Sequence, residues 1–377
     1  MSKGFEYTTM AHRHTARFPV LAFVAKQVMF WIWANILLIT VLNLYALIIS
    51  NAYHVPAPKN RGITVLVSII LGVVYGIGLG LTGYYMDRYV LKRMSLGRVL
   101  LIRTLTSLVL FVLALWFFRF FLFEYYLSAS LKLAGLNITE QSWKYLFWLL
   151  LIYYFFMTLV IGFINQVNLR YGPGVVLPLL LGVYRQPREV ERIFMFMDLK
   201  SSTATAEKLG HLKYSSFIRD CFADINDVLY SHQAQVYQYV GDQVVLMWPG
   251  SEGLKNHNCI RFFFAVKDRF AQRASYYTSM YSLLPVFKAG LHIGMVTAVE
   301  IGEVKRDIAY HGDTLNTGAR IQSVCNDYDQ ELLVSMDLLK RIGEHEIIKH
   351  EYLGEVLLKG KEQKVGIAGL REVRRQT

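Results

Sequence analysis

Long apolar runs fill the first half of the chain, whereas apolar and polar residues are mixed in the second half. Four runs, at about 28–50, 63–85, 99–123 and 145–166, are long enough to cross a bilayer, which takes about 20 apolar residues. The pattern predicts an all-α transmembrane bundle of four spans over residues 1–168. A membrane-surface connector over 169–190 and a globular domain over 191–372 are expected to follow.

Basic residues near the spans predict the topology of this bundle. The tail before the first span and the loop between the second and third spans each carry four Lys or Arg residues, and the other two loops carry fewer. Because basic residues favour the cytoplasmic side, we expect the N-terminus and the second half of the chain to be cytoplasmic. The predicted location is the inner (cytoplasmic) membrane. The net charge of +12 then reflects topology and does not require a nucleic-acid partner.

Polar and aromatic residues within the spans are expected to have ordinary structural roles. Arg103 and Arg119 lie close enough to an end of the third span for their side chains to reach the membrane surface, although a charge at this depth is often functional. Aromatic residues such as Trp31 are expected to anchor and pack the helices. After the fourth span, Gly172, Pro173 and Gly174 should end the helix. The apolar piece at 175–184 is too short to span, so the connector either transmits movement or is a passive tether.

The second half alternates strands and helices. Residues 192–199 read as a strand, 207–232 as a helix, and two β-rich runs surround Gly241-Asp242, which is typical of a hairpin. A helix at 256–280, a strand near 286–302, a helix from Gly312 and a final hairpin follow. This β-α-β-β-α-β order predicts an α+β, ferredoxin-like domain with an antiparallel-rich sheet and helices on one face. Cys221, Cys259 and Cys325 lack the spacing of a zinc site or a disulfide framework and are expected to be reduced thiols.

Two carboxylates at expected strand ends are candidate metal ligands. Asp198 follows the apolar strand "IFMFM", and Asp242 lies at the tip of the expected hairpin. Mg²⁺ usually binds one or two carboxylates together with substrate phosphates. Ser201, Ser202 and Thr203 follow Asp198 and would surround such phosphates at a helix N-terminus. The alternatives are a helix-capping role for Asp198 and a turn role for Asp242.

Five motifs in this order resemble the class III nucleotidyl cyclase catalytic domain. They are "FMFMDLKSSTATAEKLG", "YQYVGDQVVLMW", "AGLHIG", "HGDTLNTGARIQ" and "LLKGKEQKV". The resemblance covers the second half only. It implies that Asp198, Asp242 and the Leu199 carbonyl hold two Mg²⁺ or Mn²⁺ ions.

The resemblance also assigns roles to residues of the later motifs. Asn316 would orient the ribose, Arg320 would stabilise charge on the α-phosphate, and Lys359 would contact the terminal phosphates. In the family these residues come from the partner subunit, so the resemblance implies a homodimer with composite active sites, because a monomer could not assemble either one. His292 is expected to be structural.

The two base-selecting positions depart from the family pattern. Gln238 stands where adenylyl cyclases usually have lysine and guanylyl cyclases have glutamate, and Ala309 stands where a polar residue or cysteine is usual. Asp307 or Tyr310 could substitute for Ala309. Because no glutamate is present, we expect a membrane-bound adenylate cyclase that converts ATP to 3′,5′-cyclic AMP and pyrophosphate. The alternatives are a guanylate cyclase and a non-catalytic nucleotide-binding membrane receptor.

Overall fold

Four long helices form the first part of the structure. The computed structural model describes residues 19–54, 61–89, 96–117, 120, 140–171, 182–303, 307–343, 348–357 and 364–372. The helices are α1 (Pro19–Tyr53), α2 (Arg61–Tyr89), α3 (Leu96–Phe117) and α4 (Glu140–Tyr171). Each contains a segment long and apolar enough to cross a membrane, which agrees with the four predicted spans. The third helix ends at Phe117, and most of the expected extension to 123 lies outside the described residues.

Small residues bring α1 and α2 into backbone contact. Gly72, Gly76 and Gly80 recur every fourth residue on α2. A Cβ atom at Gly76 would lie 2.5 Å from the Cα atom of Val28, and one at Gly80 would lie 2.8 Å from the Cα atom of Val24. Close approach through a small-residue stripe increases van der Waals packing between helices in a membrane.

Aromatic rings fill the interior of this helical unit. Phe111 stacks on Tyr154 with ring centroids 4.1 Å apart, and Trp31 stacks on the same ring at 5.2 Å. The hydroxyl of Tyr75 lies 2.7 Å from Ser107 Oγ. The prediction of a packing role for Trp31 is therefore confirmed, since its side chain is buried between the helices.

The chain divides into two compact units, one within Phe18–Tyr171 and one within Gly172–Thr377. An eight-stranded sheet organises the second unit. The strands are β1 (Arg188–Leu199), β2 (Gln235–Val240), β3 (Gln243–Pro249), β4 (Phe287–Ile301), β5 (Asp307–His311), β6 (Leu332–Ser335), β7 (Ile348–Val356) and β8 (Val365–Glu372). Their order is β2-β3-β1-β4-β6-β8-β7, with β5 paired to β4. All pairs are antiparallel except β4 with β6. The predicted hairpins β2–β3 and β7–β8 are confirmed.

Helices cover both faces of this sheet. They are α5 (Ser202–Leu209), α6 (His211–Leu229), α7 (Gly250–Leu254), α8 (Asn258–Gln272), α9 (Ala274–Tyr281), α10 (Asp313–Ser323) and α11 (Met336–Ile342). Ile193, Met195 and Met197 of β1 pack in the core formed with α6, α8, α9 and α11. The expectation of helices on one face was wrong, because α10 packs on the opposite face against Phe194 and Phe196.

Two further differences from the sequence-based expectations concern strand boundaries. Strand β1 begins at Arg188, inside the expected connector. The sequence pattern does not reveal this start, because the first residues of the strand are mostly charged and are exposed. The short strands β5 and β6 were not predicted at all. The three cysteines are free and buried, as expected.

Candidate active site

Asp198 lies at the end of β1, partly buried beside two polar side chains. Strand register pairs it with Lys288 of β4. Gln322 of α10 donates a hydrogen bond from Nε2 to Asp198 Oδ2 at 3.4 Å. The helix that begins nearby, α5, has Ser201 at its N-cap position, so Asp198 does not cap it. The capping alternative is thereby excluded by the geometry.

Asp242 lies in the tight turn between β2 and β3. Gly241 has a φ of 61°, a left-handed conformation that glycine adopts without strain and that this turn requires. Burial raises the pKa of Asp198, and the negative charge of Asp242 raises it further. The charge of Lys288 and hydrogen bonds from the Leu199 backbone and Gln322 oppose this shift in pKa. The two carboxylates are thus close enough to repel one another.

A divalent cation fits this carboxylate pair. No group of three or more His, Cys, Asp or Glu side chains that could hold a metal ion occurs in the described part of the chain. Two carboxylates are nevertheless sufficient when carbonyl oxygens, water and substrate phosphates complete the coordination of Mg²⁺. Burial and, after it, the charge of Asp242 raise the pKa of Asp198, and a bound cation would favour the ionised carboxylate against both effects. The side chain of Leu199 is buried in the core, so only its backbone carbonyl could take part.

The loop after Asp198 turns sharply into α5. Ser201 adopts a left-handed conformation with a φ of 55°, and its carbonyl accepts a hydrogen bond from the Thr205 backbone N–H at 3.0 Å. Its side chain does not cap the helix. Ser201 and Thr203 are exposed, and Ser202 is partly exposed. This arrangement suits an anion at the start of the helix.

Helix α10 presents different residues on its two sides. Asn316 is exposed and Arg320 is partly exposed, whereas Thr317 and Ile321 are buried. At about 3.6 residues per turn, Gln322 lies about 200° around the helix from Arg320. Gln322 is the residue that contacts Asp198. Asn316 and Arg320 therefore lie on the side of α10 that faces away from Asp198 of the same chain.

The base-selecting positions lie on two different strands. Gln238 is exposed on β2, just after a register shift, and Ala309 is 9% exposed on β5. Tyr310 is buried, and its ring centroid lies 5.3 Å from that of Tyr237, so its side chain packs in the core and is not available to contact a base. Asp307 is exposed at the start of β5. Lys359 lies outside the described residues.

The sequence pattern of the family described as "Adenylate and Guanylate cyclase catalytic domain" matches residues 185–368. This region of the chain is a class III nucleotidyl cyclase domain.

Two proteins similar to this chain come from the same bacterium. Adenylate cyclase 2 of Rhizobium meliloti (strain 1021) is 36% identical over 208 residues, which is 55% of this chain and 57% of that protein. Adenylate cyclase 1 of the same organism is 26% identical over 177 residues, covering 44% of this chain and 25% of that protein. The chain thus spans just over half of the first relative and a quarter of the second. A solved bacterial light-regulated adenylyl cyclase is 17% identical, with a TM-score of 0.49 over 59% of this chain and 64% of that chain.

Three residues of the cyclase domain site were not predicted. Lys288 pairs with Asp198 in the strand register, and Gln322 donates a hydrogen bond to it. Tyr214 of α6 lies near both carboxylates. Burial raises the pKa of the Tyr214 hydroxyl, and the charges of Asp242 and Asp198 raise it further. The strand register of β1 against β4 would have identified Lys288. Nothing in the sequence indicates the other two. The Nδ1 atom of His292 lies 2.8 Å from Ser335 Oγ. His292 pairs with Phe194 of β1, four residues from Asp198, which is in keeping with a structural role.

Proposed function

We propose that the chain is a membrane-bound adenylate cyclase that converts ATP to 3′,5′-cyclic AMP and pyrophosphate as a homodimer with composite active sites. The cyclase domain and the relatives named adenylate cyclase support the reaction class. Both carboxylates are present, which favours catalysis over a receptor that only binds nucleotide. The proposed organisation is a transmembrane domain at 1–168, a connector at 169–190 and a catalytic domain at 191–372.

The two-sided character of α10 carries the dimer proposal. Gln322 faces Asp198 of its own chain, whereas Arg320 and Asn316 lie about 200° and about 240° around the helix from Gln322. A substrate held by the carboxylates of one chain would therefore meet these side chains only when a second copy supplies them. A symmetric dimer gives two such sites. Exposed apolar residues of β2 and β4 are available for the contact: Tyr239, Val240, Met295 and Ile301.

Within a composite site, each side chain has a distinct task. Asp198, Asp242 and the Leu199 carbonyl would hold two Mg²⁺ or Mn²⁺ ions, which acidify the attacking 3′-hydroxyl and neutralise the leaving pyrophosphate. The partner's copy of Asn316 would orient the ribose. The partner's copy of Arg320 would stabilise negative charge at the α-phosphate by preorganised electrostatics.

The remaining polar residues would bind the phosphates. Ser201, Ser202 and Thr203 surround them at the start of α5, where backbone N–H groups and the helix dipole favour anions. Lys359 would contact the terminal phosphates from the partner chain. Together these groups hold the substrate for in-line attack of the hydroxyl on the α-phosphorus.

ATP is the proposed substrate, and Gln238 and Ala309 would frame the base. A glutamine side chain can donate and accept hydrogen bonds, so it is compatible with either purine. Asp307, exposed near Ala309, is the acidic group available to contact the base. The relatives' names favour ATP. A guanylate cyclase is the second candidate, because neither selecting residue is the usual one for adenine.

The four helices are proposed to span the inner membrane, with the N-terminus and the catalytic domain in the cytoplasm. Their length and hydropathy support insertion. The four basic residues in the tail and the four in the second loop support this orientation.

The first test is identification of the product by mass spectrometry. Purified full-length protein would be incubated with Mg²⁺ or Mn²⁺ and either ATP or GTP. Cyclic AMP from ATP alone is the expected result. Cyclic GMP from GTP would retain the mechanism and reverse the choice of base, whereas no cyclic product from a folded, dimeric protein would contradict catalysis.

Composite sites are tested by mixing two inactive variants. Asp198→Ala and Arg320→Ala should each be inactive alone, because each destroys both sites of a homodimer. Randomly assembled mixtures should regain about a quarter of wild-type activity, since half of the dimers carry one intact site. A mixture that stays inactive, although co-purification shows mixed dimers, would contradict the composite arrangement.

A further inference from the structure

Two tyrosine rings pack together beside the two base-selecting positions. Tyr237 precedes Gln238 on β2, and Tyr310 follows Ala309 on β5. The two ring centroids lie 5.3 Å apart, and both rings also contact the ring of Phe194 on β1. Strands β2 and β5 are not neighbours in the sheet, because β5 pairs with β4, which is three strands from β2. The tyrosine contact therefore brings the two base-selecting segments of one chain together.

The hydroxyl of Tyr237 is held at the peptide group between Ala309 and Tyr310. The backbone N–H of Tyr310 donates a hydrogen bond to this hydroxyl at 3.4 Å. Glu300 of β4 donates its own N–H to the carbonyl of Tyr184, away from β5. Hydrogen bonds alternate along an antiparallel pair, so Tyr310, two positions along in the register, also turns its N–H away from β4. The Tyr237 hydroxyl thus lies at the outer edge of β5, next to position 309.

This hydroxyl still has a proton to donate. A phenol group can accept hydrogen bonds and donate one. The oxygen of Tyr237 accepts from Tyr310, and no acceptor for its proton lies among the residues that the structure describes. Tyr237 is partly exposed, and Ala309 has no polar atom in its side chain. The hydroxyl therefore supplies the polar group that position 309 lacks.

A hydroxyl donor at this position distinguishes the two purines. They differ at N1 and C6: N1 of adenine accepts a hydrogen bond, whereas N1 of guanine carries a hydrogen. If Tyr237 donates to N1 of adenine, the side-chain carbonyl of Gln238 is an acceptor for the neighbouring 6-amino group. Guanine in the same orientation would place its N1–H against the hydroxyl proton, which leaves both donors without an acceptor.

The same aromatic cluster also contacts α10. Leu315 and Ala319 of this helix pack against the group of side chains that contains both tyrosine rings. They directly precede Asn316 and Arg320, the proposed ribose and α-phosphate residues. The base-selecting segments and these two residues therefore belong to the same half of a composite site.

We propose that Tyr237 is a specificity-determining residue whose hydroxyl donates a hydrogen bond to N1 of the adenine of bound ATP. Gln238 accepts from the 6-amino group beside it. This inference rests on the proposed adenylate cyclase activity and adds a residue to which the resemblance assigns no role.

The test compares ATP with 1-deaza-ATP, in which a C–H group replaces the N1 acceptor. Full-length wild type and Tyr237→Phe would be assayed with each nucleotide and Mn²⁺. The substitution should lower kcat/KM for ATP about two- to tenfold, mainly through KM, because one hydrogen bond between neutral groups is lost. It should leave kcat/KM for 1-deaza-ATP unchanged. Equal losses with the two nucleotides would show that Tyr237 acts through packing alone and would overturn the proposal.

Tyr310→Phe is the matched control. Its ring packs against that of Tyr237, and its hydroxyl accepts a hydrogen bond from Arg192 of β1. Any loss of activity in this variant should be the same for ATP and 1-deaza-ATP. A loss confined to ATP would contradict the assignment of the N1 contact to Tyr237.

Equilibrium binding of the two nucleotides gives the same comparison without turnover. Wild type should bind ATP more tightly than 1-deaza-ATP, and Tyr237→Phe should bind them equally. Equal binding by wild type would overturn the proposal and does not depend on the folding of any variant. A wild-type protein that prefers ATP in binding but forms no cyclic AMP would instead contradict the proposed reaction, which separates the two failures.

Discussion

Gly290 of β4 and Gln322 of α10 approach so closely that a Cβ atom at position 290 would lie 2.3 Å from the Gln322 backbone nitrogen. A second glycine on the same strand, Gly294, leaves room for Thr314 at the start of the helix. The glycines of the "GLHIG" motif therefore set the distance of α10 from the sheet. That distance in turn allows the Gln322 side chain to reach Asp198.

Gly290→Ala should displace α10 and lower both stability and activity. Overpacking of a buried contact costs about 1–3 kcal/mol, and here the obstacle is backbone that cannot rotate away. Thermal unfolding in detergent measures the stability loss, and the rate of cyclic nucleotide formation measures the effect on the site. Gly78→Ala is the control, because no atom lies within 4 Å of the methyl group that it would add. Equal losses in both variants would contradict a special role for the contact at Gly290.

Asp242→Asn should abolish product formation while the protein remains folded and dimeric. The substitution keeps the size of the side chain and removes a charge that a cation requires. Product is measured by mass spectrometry with Mn²⁺ present. Asp327→Asn, at an exposed position in the turn after α10, should keep wild-type activity. Full activity in Asp242→Asn would disprove the metal assignment.

Metal-free protein should become more stable when Asp198 loses its charge. Burial and Asp242 raise the pKa of Asp198, so the folded state binds a proton more tightly than the unfolded state does. The free energy of unfolding therefore falls as the pH rises from the pKa of Asp198 in the unfolded chain through its higher pKa in the folded protein. At neutral pH the ionised carboxylate destabilises the fold. Asp198→Asn should have a higher melting temperature than wild type in EDTA.

Adding Mn²⁺ should reverse this order. Ligand at 100 times its dissociation constant stabilises a protein by about 2.7 kcal/mol, and only the wild type retains the carboxylate pair. Differential scanning fluorimetry with and without Mn²⁺ makes both comparisons. Equal metal-induced shifts in the two proteins would show that the ion binds elsewhere.

Lys288→Met should move the acid limb of the pH–activity profile to higher pH. The positive charge of Lys288 lowers the pKa of Asp198, so its removal lets that pKa rise further and protons compete with metal up to a higher pH. Lys288 is 7% exposed and donates to Asn326 Oδ1 at 2.5 Å, so methionine preserves much of its packing. Lys288→Arg, which keeps the charge, should leave the limb near its wild-type position. An unchanged profile in the methionine variant would contradict this electrostatic role.

Local patterns in the sequence predicted many of the helices and strands but few of the contacts between them. The hairpin at Gly241-Asp242 and the four long helices follow from turn residues and apolar runs, which are local signals. The placement of α10 depends on missing side chains at Gly290 and Gly294, far away in the sequence. No periodicity within α10 reveals which sheet face those glycines leave open.

The site was predictable to a similar degree. Asp198 and Asp242 stand out because a carboxylate at the end of an apolar strand or beside a turn glycine is visible in one segment. Lys288 and Gln322 become apparent only when strand pairing and helix packing are known. The burial of Tyr310 against Tyr237, which removes it as a base-contacting residue, likewise depends on contact between distant strands.

The glycine stripe of α2 has a consequence for movement in the helical unit. Where Gly76 and Gly80 place backbone against backbone, rotation of α2 about its axis would bring larger side chains into the contact and push α1 away. The two helices therefore behave as one stiff pair. Any displacement produced inside the bundle would be taken up by α3 and α4, and α4 is the helix that continues toward the cyclase domain.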